Sequence, residues 1–289
     1  AITIKGGHAS DPRYGTAMPE TPEEGRRTVR QMKQAGADAI KLIYDDLSQG
    51  GRPPVPIMHV DVMRSIIDEA HGQRVKVYAH APQLRHAKEV MRAGADGLVH
   101  ALDVERIGDE LLALMKRKGA VYVTTHSLYH ALSDRAGWAN RLEELDHRGA
   151  IPKATYKQLR QSDRPFPERP MSVRDALRYN LRRVYDAGVL VIAGTDTPVL
   201  GVLPGVSSQE EIVLLVEDGL KPEEALRTAT LNAAKMMGRD HEQGSINAGK
   251  LADLVILHAN PLADIRNIRL VHRVVKSGVV HDPKDWLKQ

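Results

Sequence analysis

The chain has 289 residues, 42% of them hydrophobic, and 41 Lys and Arg against 37 Asp and Glu leave a formal net charge of +4. That length and apolar content suit one barrel-sized core plus a small appendage, and the charges are dispersed with no basic run, so a pI near 9.2 makes no case for nucleic acid. With no cysteine there is neither a disulfide framework nor a thiolate ligand, and no apolar run approaches the roughly 18 residues of a membrane span. The opening AITIKGGH lacks the charged and apolar regions of a signal peptide, so a cytoplasmic location is expected.

Taken in order, the chain repeats one phrase: a helix, a glycine, then a short apolar strand. It appears as Met32–Ile43, Val90–His100, Met115–Thr125 and Val184–Asp196. Strands alternating with helices of about 10–15 residues imply a parallel sheet with helices outside it. The strands are expected at Ile2–Ile4, Ala39–Ile43, Val75–Ala79, Gly97–Val99, Val121–Thr124 and Leu190–Ala193. The helices are expected near Glu23–Gln34, Val60–His71, Gln83–Arg92, Val104–Lys118 and Val173–Asp186, the third closed by Gly94 in a left-handed conformation. A helical insertion, Trp138–Gln161, follows the fifth strand and is closed off by a Pro-rich connection at Arg164–Pro170. Two more helices are expected near Ser208–Asp218 and Pro222–Met237, after which the pattern changes to short β-strands at Leu254–Leu257, Val271–Lys276 and Val279–Val280.

In a parallel βαβ unit both strands point the same way, so His80 and His100 emerge at the same carboxyl edge, where α/β barrels keep their active sites. Imidazole is the commonest protein ligand for zinc-like metals. A single strand-end histidine is as well explained by a hydrogen bond in the barrel mouth; two on adjacent strands point to a metal. Lys41 interrupts the apolar strand AIKLI and must reach the barrel mouth or a partner, because burying it unpaired is costly. It is a candidate Schiff-base nucleophile, ion-pair partner or carboxylated metal ligand. Asp196 follows the last barrel strand in IAGTD, where a carboxylate can bind metal and take a proton from activated water. His126 and His130 are spaced i, i+4 without an accompanying HExxH, and are expected to be lone exposed histidines.

Lys41 in DAIKL, His80 in VYAHA, His100 in GADGLVHAL and Asp196 in AGTDTP, in that order, resemble the metal-dependent amidohydrolase superfamily. The segment Glu224–Ile265 is similar to that superfamily's C-terminal stretch, which ends the last helix and returns to a β-sandwich. GGHAS at the start and the strand lysine are most like the imidazolonepropionase-related, prolidase-like dipeptidases, of Xaa-Pro or Xaa-Arg type. The resemblance implies an α/β fold, an amidohydrolase-type (β/α)8 TIM barrel over residues 1–240, with residues 241–289 supplying the C-terminal part of a small β-sandwich. It implies a hydrolase of carbon–nitrogen bonds in dipeptide-like or N-acyl amino acid substrates, with one or two divalent ions, zinc first among them. Lys41, carboxylated by carbon dioxide, would bridge two metals, and His80 and His100 would hold the more exposed one. Asp196 would ligate the more buried metal and act as general base, and His8 and Tyr129 would contact substrate.

The sequence departs from the family at one point. The family places a His-x-His pair at the end of its first barrel strand, and none of the 13 histidines here forms one. The expectation is a barrel lacking its first two strands, roughly 60 residues at the eight-unit average. An open sheet edge at the first strand would then be left unpaired on one side, and the partner chain would be a complementing N-terminal segment or a second copy in a homo-oligomer. Two rival readings stand beside the hydrolase: a Schiff-base lyase using Lys41, and a non-catalytic piece that binds a partner chain. Neither nucleic acid nor membrane is an expected partner.

Overall fold

Apolar alternation sorts the side chains of β1 (Ala39–Ile43) between two faces. Ile40 and Leu42 are buried on one face, and Lys41 stands on the other. The next strand, β2 (Lys76–His80), repeats the pattern, with Val77 and Ala79 buried and Tyr78 and His80 opposite. The register aligns Lys41 with Tyr78 and Ile43 with His80, both strands running parallel. β3 (Gly97–Val99) continues the sheet by pairing Val99 with His80, and β4 (Val121–Val123) pairs Val123 with Val99. The four strands therefore lie in chain order, each joined to the next by a helix, as right-handed parallel crossovers require.

The computed structural model describes residues 1–49, 53–146, 151–161, 172–199 and 201–287. They form two compact units, Ala1–Thr124 with Arg164–Leu190, and Thr125–Asp163 with Val191–Gln289. In the first unit α1 (Pro22–Gln34), α2 (Val60–Gly72), α3 (Leu84–Ala93) and α4 (Asp109–Lys118) accompany the sheet. Thr21 caps α1 by accepting from the Glu24 amide at 3.2 Å. α2 buries Val62, Met63, Ile66 and Ile67 completely or nearly so, at about 1.5–3 kcal/mol for each side chain removed from water. Gly94 ends α3 in the left-handed region, at φ 111°.

The second unit opens with α5 (His126–Ser133), α6 (Arg135–Leu145) and α7 (Lys153–Arg160). α8 (Ser172–Asp186) belongs to the first unit, where buried Asn180 donates to the Leu102 and Glu105 carbonyls and accepts from the Ile107 amide. β5 (Leu190–Ile192) follows, then α9 (Val206–Glu217), α10 (Pro222–Ala229) and α11 (Leu231–Met236) in the second unit. A three-stranded antiparallel sheet closes the chain, β6 (Leu254–Leu257), β7 (Val271–Lys276) and β8 (Val279–His281), in that order. Ser277 and Gly278, at φ 51° and 82°, turn β7 into β8 with the left-handed pair that tight hairpins use. Trp138, Leu142, Tyr156, Leu159 and Leu214 form one apolar core in this unit, with Trp138 Nε1 donating to the Gly201 carbonyl at 2.7 Å.

Several elements differ from expectation, each for a local reason. The strand expected at Ile2–Ile4 contracts to bridges at Ile2, because Gly7 turns back onto the Ile4 carbonyl at 3.0 Å. Ile2 is nevertheless paired on both sides, with Leu42 and with Ala17, so the edge expected to be open is covered at that point. The helix expected from Val104 begins at Asp109, since Asn180 holds the preceding turn through its backbone. The helix expected over Pro222–Met237 breaks at Thr230, whose hydroxyl donates back to the Leu226 carbonyl at 2.8 Å. The insertion is two helices, α6 and α7, and the Pro-rich connection lies outside the described residues.

His126 and His130 are the clearest correction. Both are buried, and both reach one carboxylate oxygen, Asp218 Oδ2, at 2.7 Å from His126 Nδ1 and 3.3 Å from His130 Nε2. The first two amides of α5 donate to buried Glu211 at 2.8 and 2.7 Å, a carboxylate at the positive end of the helix dipole. Spacing alone put these histidines on one helix face, and α9 with its following Asp218 covers that face.

Candidate metal centre

Lys41, His80 and His100 come together. Lys41 Nζ lies 3.1 Å from His100 Nε2, and the His80 and His100 rings meet edge to face with centroids 4.6 Å apart. Lys41 and His80 share a face by strand parity; His100, one residue beyond β3, would alternate away. Its backbone prevents that: φ is +80°, in the left-handed region that side-chain-bearing residues rarely adopt, and this re-aims the imidazole toward Lys41. Gly97 makes room for the arrangement, because a Cβ there would meet Val121 Cγ2 at 2.4 Å and Tyr78 Cδ1 at 3.2 Å.

A third ring and two carboxylates extend the cluster. His8 packs edge to face on His80, ring centroids 4.6 Å apart, and its own carbonyl accepts from Thr3 Oγ1 at 2.7 Å. Asp45 and Asp46 follow β1 after Tyr44, at the carboxyl edge of the sheet, and both are buried. Asp45 Oδ2 lies 3.2 Å from His8 Nδ1 and 3.3 Å from His80 Nε2, while Asp45 Oδ1 accepts from Gln83 Nε2 at 2.9 Å. Gln83 occupies the N-cap position of α3 but leaves the cap unmade, because its amide serves Asp45 and, at 2.6 Å, Asp46. Ser48 and Arg85 complete the shell around Asp46. Sequence reasoning passed over Asp45, Asp46 and Gln83, although two acids one residue past a barrel strand were a legible signal.

The electrostatics keep the imidazoles in the form that binds metal. Burial lowers the His80 pKa to about 4 despite the opposing pull of Asp45. Burial also drives His100 well below its ordinary value, and neighbouring His80 and Lys41 push the same way. For Asp45, burial acts to raise the pKa, but the adjoining His8, His80 and Gln83 outweigh it and hold the carboxyl below the usual range. Neutral imidazoles beside an ionised carboxylate are the ligand forms a divalent ion requires. The donor set therefore fits a metal.

Asp196 lies in the second unit, beyond β5, with φ +61°. Tyr129 also lies there, buried on α5. The distances above thus unite Lys41, His80, His100 and His8 of the expected residues, with Asp45 added.

A parallel sheet alternating with helices, with Lys41 inside β1, His80 ending β2 and His100 just past β3, is consistent with part of a (β/α) barrel. A solved prolidase complexed with N-methylphosphonate-L-proline aligns with 98% of this chain and 67% of its own at a TM-score of 0.72 and 25% identity. The crystal structure of Aspergillus niger ochratoxinase aligns at 0.65 and 26% identity, over 92% of this chain and 56% of its own. The chain belongs to the amidohydrolase family, whose model matches residues 5–280. In sequence it is 28% identical to the same ochratoxinase over 248 residues, 84% of this chain and 45% of the relative. It is 27% identical to the imidazolonepropionase of Caldanaerobacter subterraneus subsp. tengcongensis over 201 residues, 68% of this chain and 37% of the relative. The chain thus spans less than half the length of these curated relatives. No helix among the described residues is long and apolar enough to cross a membrane.

Proposed function

We propose that this chain carries the reaction centre of a metal-dependent hydrolase that cleaves amide bonds in dipeptide-like or N-acyl amino acid substrates. The observation that carries the reading is the convergence of Lys41, His80 and His100 at the carboxyl edge of one parallel sheet, Lys41 Nζ within 3.1 Å of His100 Nε2. Relatives named ochratoxinase, imidazolonepropionase and prolidase support hydrolysis at carbon–nitrogen bonds, and the prolidase bound to a proline phosphonate favours dipeptides. In this reading residues 1–240 belong to the barrel and 241–289 to the β-sandwich portion.

A bound divalent ion, zinc by preference, supplies Lewis-acid polarisation of the scissile carbonyl and acidifies water. His80 and His100 would hold it, their pKa values lowered by burial, and Lys41 would join them as its carboxylated form. The Asp196 carboxylate takes the proton from attacking water and returns it to the leaving amine, while His8 and Tyr129 contact the substrate. The test is zinc content and dipeptide hydrolysis by the purified protein, before and after chelation. Turnover abolished by chelation and restored by zinc is the expected result; turnover indifferent to chelation, with borohydride trapping substrate on Lys41, would establish the lyase instead.

A further inference from the structure

Tyr44 carries the pairing of β1 and β2 one residue past Ile43, its amide donating to the His80 carbonyl at 2.9 Å. The next residue, Asp45, is thereby set beside the His80 side chain, with only 3% of its own side chain exposed. Its Oδ2 lies at hydrogen-bond distance from His80 Nε2, 3.3 Å, and at ion-pair distance from His8 Nδ1, 3.2 Å. A carboxylate only accepts, so the His80 contact places a proton on Nε2; the other tautomer would set two lone pairs against each other. A neutral imidazole protonated there keeps its bare lone pair on Nδ1.

The carboxylate is itself held in place. Gln83 Nε2 donates to Asp45 Oδ1 at 2.9 Å and to Asp46 Oδ1 at 2.6 Å, while Gln83 Oε1 accepts from Ser48 Oγ at 3.2 Å. Those contacts fix which end of the Gln83 amide faces Asp45, so Oδ1 serves Gln83 and Oδ2 is left to the rings. The His80 ring is equally constrained, wedged edge to face between His8 and His100 with centroids 4.6 Å away on each side. An asparagine at position 45 would give its oxygen to the same Gln83 donor and turn its NH2 group toward His80 Nε2. That nitrogen would then have to accept, and the proton would move to Nδ1. A buried carboxylate is costly to desolvate, and here it supplies a second acceptor that the amide lacks.

We propose that Asp45 is a positioning residue: by accepting from His80 Nε2 it fixes the tautomer and orientation of that ring, so that Nδ1 is the nitrogen His80 offers to the metal. Asp45 itself stays off the ion. Carboxylates that accept from metal-ligating histidines orient the ring and raise its basicity. This role rests on the metal-dependent reading above, whereas the tautomer of His80 is a property of the metal-free chain.

The test uses the metal-free 289-residue chain with isotopically labelled histidine. Long-range proton–nitrogen NMR spectra at neutral pH report the tautomer of each ring, and the His80 signals are assigned by their loss in His80→Gln. Expected are a proton on Nε2 in the wild type, its move to Nδ1 in Asp45→Asn, and zinc affinity lowered roughly 10–100-fold in that variant. Zinc added to the wild type should shift Nδ1 and leave the Nε2 proton in place. A wild-type proton on Nδ1, or loss of the Nε2 proton on zinc binding, would overturn the proposal without any variant having to fold. So would an Asp45→Asn chain, folded by circular dichroism, that keeps the wild-type tautomer. A wild-type chain with the expected tautomer that binds no zinc would overturn the metal-dependent reading instead, so the two failures are told apart.

Discussion

The molecule contains the same small motif twice, a carboxylate oxygen between two imidazoles, and uses it in opposite ways. Around Asp45 the contacts are 3.2 and 3.3 Å; around Asp218 they are 2.7 and 3.3 Å. The Asp218 group is sealed, its three side chains 0%, 0% and 8% exposed, whereas His8 keeps 31% of its side chain open. Asp45 stands at the carboxyl end of a strand with Lys41 and His100 nearby, and Asp218 follows α9, whose Glu211 also holds the first turn of α5. Among the described residues, ligand atoms converge at Asp45 and not at Asp218. Residue types alone therefore do not separate the two groups; access from solvent and position at a strand end do.

The comparison can be broken in order of expected effect. The largest is Asp196→Asn, which should leave fold and zinc in place while lowering the chemical step about 10²–10⁴-fold, the usual contribution of a general base. A single-turnover rate reduced less than tenfold would assign the base elsewhere. Next is Asp218→Ala, expected to remove roughly 2–5 kcal/mol of stability by stranding two buried imidazoles. Denaturant unfolding reads that loss, and zinc affinity should not move. Gln83→Leu should do the reverse: zinc binding weakened roughly 10–100-fold, as for other outer partners of ligands, with a small change in the unfolding midpoint.

The smallest effect separates the two groups by pH in metal-free protein. His80 has a folded pKa lowered to about 4 from 6.5. The unfolded chain therefore binds the proton first, and stability present above about 6.5 is lost as pH falls toward 4. At Asp218 burial acts to raise the pKa, but hydrogen bonds from His126 and His130 hold it below the ordinary carboxylate value. Its share of stability is present above an unfolded pKa of about 3.9 and is lost only as pH falls further. His80→Gln should flatten the upper part of an acid-unfolding curve and Asp218→Asn the lower part. Coincident curves for the two variants would show that the clusters do not titrate separately.

Much of this architecture was legible because barrel strands announce themselves. Glycine after a helix, then a short apolar run, located β1, β3, β4 and β5, and strand parity set Lys41 and His80 on one face. His100 was legible by its place at a strand end, although parity alone would have turned it away; a backbone angle is not written in apolar patterning. Asp45 lies two residues past the last apolar residue of AIKLI, where apolar periodicity carries no signal. Asp218 was beyond reach for a different reason. It meets His126 from 92 residues away along the chain, and no local period encodes such a contact.

The backbone at His100 has a consequence for descent. A histidine held at φ +80° carries about 1–2 kcal/mol that glycine or asparagine would not. If the proposed hydrolysis is under selection, that energy is retained for the sake of one ring. In a lineage freed from the reaction, substitution at position 100 would relax the chain at once, so this position should drift early. A relative with intact strands and glycine there would have shed the chemistry and kept the scaffold.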